Sequence, residues 1–179
     1  VNLIESLRKF DGKRTSELER LSVSMARTAD SVAQLLAVAE HDDATVQVGA
    51  TWILKRWLEE GVPHVEGSAA DFVRLLKRAT DWEVQLHLLQ MLASLPVPAK
   101  SLSMLKKLLP RLLMDDNKFI RAWSLSLLAA MADQSQALRQ DVISTIQIAE
   151  NDDAAAVRAR IRQIRKRYQW LKQAGRSER

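Results

Sequence analysis

The 179-residue sequence contains no cysteine, which removes disulfide frameworks, thiolate metal sites and cysteine nucleophiles at once. Glycine and proline are scarce at five and four residues, about 5% of the chain where ~12% is usual. Hairpins and tight βα turns consume those residues, so neither an all-β nor a Rossmann-type chain is expected. So few glycines also make a phosphate-cradling loop implausible, and no GxSxG, Walker or GxGxxG motif occurs. No apolar run approaches the ~20 residues that span a bilayer, and the opening Val1-Asn2-Leu3-Ile4-Glu5 lacks the layout of a signal peptide. The expectation is a soluble, cytoplasmic protein with no membrane span.

Charge is present but unevenly placed. The chain carries 27 Lys+Arg against 22 Asp+Glu, a formal net charge of +5. Residues 1–150 hold 18 basic and 19 acidic side chains, whereas residues 151–179 hold nine and three. The basic character therefore belongs to one end of the chain.

An internal repeat organises the remainder. Residues 39–44 read Ala-Glu-His-Asp-Asp-Ala and residues 149–154 read Ala-Glu-Asn-Asp-Asp-Ala, with Asp115-Asp116 and Thr80-Asp81 between them. Each acidic site is followed by a branched aliphatic and then Gln or Arg: Val46-Gln47, Val84-Gln85, Ile120-Arg121 and Val157-Arg158. These four aliphatic anchors are spaced 38, 36 and 37 residues apart. From each anchor one stripe recurs at i, i+4, i+7 and i+11: Val46, Ala50, Ile53, Trp57 in the first repeat and Val157, Ile161, Ile164, Tyr168 in the fourth. That spacing predicts one face of an α-helix, four times over, each preceded by a second apolar helix. The aspartates then read as caps for the second helix rather than as metal ligands. Ser16-x-x-Glu19 reads as a capping box in a degenerate N-terminal pair.

Helix pairs of this period, with an aspartate in the turn and Val-Arg or Ile-Arg opening the second helix, resemble HEAT repeats of the compact bacterial type. Asp116-Asn117-Lys118-Phe119-Ile120-Arg121-Ala122-Trp123 carries the likeness most clearly, and the resemblance covers about residues 29–172. It implies an all-α, right-handed α-solenoid whose second helices line a concave surface. The expected organisation is one domain over 1–179: N-terminal helices in 1–28, repeats at 29–61, 68–95 and 99–133, a fourth repeat with a basic cap at 135–172, and a tail from 173 to 179.

Catalytic chemistry finds no support. His41, His64 and His87 are isolated, and no His pair has metal-ligand spacing. No catalytic residue, metal or cofactor is expected. Alkylpurine DNA glycosylases can be built on HEAT-like repeats and use aromatics plus a concave-face acid, and five tryptophans invite the comparison. Yet no tryptophan has an acidic residue four positions before or after it.

Two surfaces remain as candidates. At 100° per residue, positions +2, +5 and +9 from each anchor point away from the partner helix. In the middle repeats these are Leu86, Leu89, Ala93 and Ala122, Leu125, Ala129. Such residues are either buried between neighbouring repeats or floor an apolar groove for a protein or peptide partner, with Trp52 and Gln90 at its rim. The second surface is a basic patch of Arg158, Arg162, Arg165, Lys166 and Lys172, where Arg165 stands in the slot that Leu54, Leu92 and Leu128 fill elsewhere. A terminal repeat needs a polar outer face, but not one of a single sign. The expected function is a non-catalytic protein-interaction scaffold, with a nucleic-acid or acidic partner on the basic C-terminal helix as the alternative and a repeat-based alkylpurine DNA glycosylase as the third reading.

Overall fold

A computed structural model describes residues 2–174, and the expected tail beyond Ala174 lies outside the described residues. Within them the chain is all-α, with eleven α-helices, two short 3-10 turns and no strand. It divides into two compact units, Val1–Met91 and Leu92–Arg179. The first holds α1 (Leu3–Arg8), α2 (Ser16–Ser24), α3 (Ala29–Val38), α4 (Ala44–Glu59), α5 (Ala69–Arg78) and all but the last residue of α6 (Trp82–Leu92). The second holds α7 (Ala99–Leu113), α8 (Lys118–Gln134), α9 (Arg139–Ala149), α10 (Ala155–Arg167) and α11 (Gln169–Ala174).

The Gln or Arg that follows each anchor has one job in all four repeats. Its side chain reaches back six residues and donates to a carbonyl in the turn that precedes its own helix. Gln47 Nε2 bonds His41 O at 2.6 Å, Gln85 Nε2 bonds Ala79 O at 2.8 Å, and Arg121 Nη1 bonds Asp115 O at 2.9 Å. Arg158 Nη1 completes the series on Asp152 O. The carbonyl it satisfies lies at or just beyond the C-cap of the first helix, so the bond ties the second helix to the turn. Arginine does more than glutamine. With its remaining nitrogens Arg121 forks onto the Asp152 carboxylate of the next turn at 2.8 and 2.9 Å, so the turns of repeats three and four are laced together.

Helix starts follow the anchors as well. The residue three before each anchor is the N-terminal cap: Asp43, Asp81, Asn117 and Ala154. Asp43 accepts from the Thr45 amide, Asp81 from the Glu83 and Val84 amides, and Asn117 from the Phe119 amide. The fourth cap has no polar side chain, so Asp152, two residues earlier, accepts from the Ala154 amide instead. Anchor spacing shifts the fourth turn by one residue against the Asp-Asp match, placing His41 opposite Asp152. The two do the same work, since His41 Nδ1 accepts from the Asp43 amide at 2.9 Å. In the N-terminal pair the expected Ser16–Glu19 capping box is not formed. Thr15 takes the cap position, and its hydroxyl bonds the Glu19 carboxylate rather than a backbone amide.

In the first unit α4 is the hub, packed by α1, α2 and α3. Gly49 makes the close approach possible, because a Cβ there would lie 2.8 Å from a methyl of Leu7 and 3.2 Å from one of Leu18. Trp57, fully buried, donates from Nε1 to Ser22 Oγ at 2.9 Å and fixes α2 on the same helix. In the second unit α8 is the hub, packed by α7, α9 and most extensively by α10. The stripe is core throughout, with one chemical exception: Ser124 stands where the other repeats carry Ala50, Leu88 and Ile161. Its buried hydroxyl has no hydrogen-bond partner among the described residues.

Two stability measurements follow. Gln85→Met keeps the shape but leaves the Ala79 carbonyl without its donor, and is expected to lower unfolding free energy in urea by about 2 kcal/mol. Ser124→Ala removes an unsatisfied buried hydroxyl and is expected to raise it by about 1 kcal/mol.

Candidate interaction face

The groove expected from positions +2, +5 and +9 is filled by the chain itself at most of its residues. Leu89, Ala93, Ala122, Leu125 and Ala129 are all buried. For α8 the cause is explicit: Ala122, Leu125 and Ala129 share one core cluster with Val157, Ile161 and Ile164 of α10. α8 therefore has two apolar flanks, one for α7 within its repeat and one for α10. Leu86, Gln90 and Trp52 stay partly exposed. The equivalents in the fourth repeat, Arg162 and Lys166, are exposed.

The partly exposed strip on the second helices lies about one residue further round, at positions +3, +6 and +10, although Gly49, Ser126 and Ala130 on it are buried. In the first unit its charges are paired. Arg56 stacks over Trp52 at 5.6 Å and holds Glu60 at 2.8 Å, and Lys55 beside it holds Glu59 at 2.9 Å. His87, on the same strip, sits 3.0 Å from Thr51 Oγ1. Burial, with the Lys55 ammonium nearby, pushes the pKa of His87 down to about 4. The ring is neutral at pH 7 and is a packing residue.

In the second unit the strip reads Trp123 and Ser126 on α8, then Arg160, Gln163 and Arg167 on α10. The Arg160 guanidinium lies 3.7 Å from the Trp123 ring centroid. These residues and Tyr168 line a small pocket of about 140 Å³ that contains no carboxylate. Arg160 has no acidic partner among the described residues, and burial lowers its pKa from the ordinary arginine value. A partly desolvated cation without a counter-ion is a costly arrangement that an incoming anion relieves. Arg167 stacks on Tyr168 at 5.4 Å, and Arg139 on Trp170 at 5.4 Å.

The basic patch read from sequence separates into two kinds of residue. Arg158 is committed to the Asp152 and Asp153 carbonyls, and Arg165 grips Glu150 at 2.6 Å. Arg162, Lys166 and Lys172 are exposed and carry no ion pair among the described residues. Arg160 and Arg167, which the sequence reading passed over, join them. The signal for Arg160 was present: it occupies +3 of its repeat, as Trp123 does one repeat earlier. Among the described residues no three His, Asp or Glu side chains are grouped to hold a metal ion, and no helix is long and apolar enough to cross a membrane.

No protein-family model matches the chain, and no curated protein matches it. Among solved structures, the crystal structure of an engineered protein from the Northeast Structural Genomics Consortium is similar in fold. It matches with a TM-score of 0.59 at 17% identity, over 90% of this chain and 76% of that one.

The titrations of His87 and Asp152 fix a pH profile. His87 binds its proton more weakly folded than unfolded, so its contribution is complete above pH ~6.5 and declines as pH falls toward 4. Lowering the pKa from 6.5 to about 4 corresponds to on the order of 3 kcal/mol. Asp152, which the Arg121 guanidinium holds down to about 2, adds a further loss below pH ~4. The urea midpoint is expected to fall between pH 6.5 and 4.5 in the parent protein and to stay level there in His87→Gln. An equal fall in both would remove His87 as the cause.

Proposed function

We propose that this chain is a compact HEAT-type, right-handed α-solenoid that serves as a non-catalytic interaction module. Its partner is an acidic protein or peptide segment, bound on the second-helix strip of the last two repeats. The observation that carries the reading is Arg160, stacked 3.7 Å from the Trp123 ring centroid with no acidic partner among the described residues. Arg162, Lys166 and Arg167 extend the same positive surface along α10. The absence of a carboxylate from the pocket favours recognition over acid–base chemistry. The regular anchor-to-turn bonds, recurring six residues back in all four repeats, support the repeat architecture.

A second reading, nucleic-acid binding, draws on the interleaving of arginines with Trp123, Tyr168 and Trp170. Bases stack on such rings while phosphates meet the cations. The two readings separate in one titration, using a fluorescein-labelled glutamate-rich peptide containing leucine and, in parallel, a single-stranded DNA oligomer. The acidic-segment reading expects saturable peptide binding that weakens about tenfold in Arg160→Ala with Arg167→Ala. Tighter binding of the DNA, with a steep loss of affinity on adding salt, would favour the second reading. Failure of both ligands to bind at low salt would remove the strip as a polyanion site.

A further inference from the structure

The second unit carries another surface of opposite charge, independent of the strip just described. Where α7 and α9 end, their turns enclose a groove of about 760 Å³. Two large apolar side chains stand at it almost fully open to solvent: Met114, 82% exposed, and Ile148, 76% exposed. Pro110, Leu113, Ala149 and Val157 continue the apolar lining between them. Leu113 and Ala149 already pack against the core cluster, so the groove has a firm floor, and Met114 and Ile148 extend beyond it. Exposed side chains of this size on one continuous apolar surface mark a docking site more often than chance, and methionine adapts well to varied partners.

The rim decides the kind of partner. Asp115, Asp116, Asp152 and Asp153 line the groove with a single cation, Arg121. That guanidinium is consumed by the Asp152 carboxylate and by the carbonyls of Asp115 and Asp116. Asp153 is 99% exposed and only 3.6 Å from Arg121, while Asp116 is exposed with no ion pair among the described residues. With the Arg158 guanidinium held on the carbonyls of Asp152 and Asp153, two cations face four carboxylates, and the groove presents a net negative rim around an apolar floor. An anionic membrane surface or a nucleic acid is repelled by such a rim, and an acidic peptide gains nothing there.

We infer that this groove docks a short, basic, amphipathic segment of a partner protein. The segment's apolar side chain inserts between Met114 and Ile148, and its Lys or Arg residues meet Asp116 and Asp153. Apolar contact supplies the affinity, and the aspartates set the register and favour cationic partners. The module would then hold an acidic segment on its second-helix strip and a basic one at its turns.

Methyl-resolved NMR of the full chain tests the assignment, with a short amphipathic lysine–leucine peptide as probe and a lysine-only peptide as control. The Met114 and Ile148 methyl signals are expected to shift saturably with the first peptide and not with the second. Met114→Ser with Ile148→Ser is expected to raise Kd about tenfold, and Asp116→Asn with Asp153→Asn to flatten its salt dependence. All four positions are exposed or at the rim, so thermal melts of the variants should match the parent. Arg160→Ala with Arg167→Ala is expected to leave this binding unchanged, which keeps the outcome separate from that of the strip. Equal response to the lysine-only peptide, or no saturable shift at Met114 and Ile148, would overturn the assignment. So would a concentration-dependent rise in sedimentation coefficient that the Met114/Ile148 variant abolishes, because the groove would then be filled by a second copy of this chain.

Discussion

The bond from the residue after each anchor to the turn carbonyl six positions back is the constraint on which the rest of the structure depends. A helix that ends must surrender several carbonyls, and a helix that begins must leave several amides open. In this chain one side chain settles a carbonyl of the turn, while the residue three before the anchor caps the amides in three of the four repeats. Both devices are counted from the same aliphatic anchor. They therefore set the rotation of the second helix, and with it which residues face inward. Glutamine closes the turn alone, whereas arginine at 121 closes its own turn and grips the carboxylate of the next.

That rotation explains where charge can accumulate. The hub helices α4 and α8 are buried on most of their circumference, which leaves a narrow strip for polar groups. In α10 the equivalent flank is exposed, and it carries Arg162 and Lys166. Some of the terminal positive charge is structural, because Arg158 and Arg165 spend theirs on a turn and on Glu150. In the remainder, Arg160 and Arg167 stack on aromatic rings and have no acidic partner among the described residues. The turns of the same unit carry the opposite sign, because each turn needs acidic caps and acceptors and gathers them on one edge.

Much of this was legible from sequence, for a definite reason. The aliphatic anchors and the residue beside each of them recur at nearly constant spacing, because every repeat must solve the same turn. All-α character and the positions of the helix pairs follow from that recurrence. The inward and outward faces were less legible. A helical wheel registers one partner per helix, so it leaves Leu125 and Ala129 open between burial and a groove, and in the structure α10 covers them. Exact matching of Asp-Asp pairs also hid a one-residue shift, since His41 serves in place of an aspartate. Arg160 was missed because a charge on an exposed helix reads as solvated until the ring beneath it is seen.

The turn-closing bond can be observed directly in solution. Side-chain amide NMR of Gln85, whose Nε2 lies 2.8 Å from Ala79 O, reports it without any substitution. Strong protection of the Gln85 side-chain amide against hydrogen exchange is required, together with a scalar coupling from its nitrogen to the Ala79 carbonyl carbon. Exchange at the rate of a free glutamine, with no coupling, would contradict the view that this bond sets the register of the second helix.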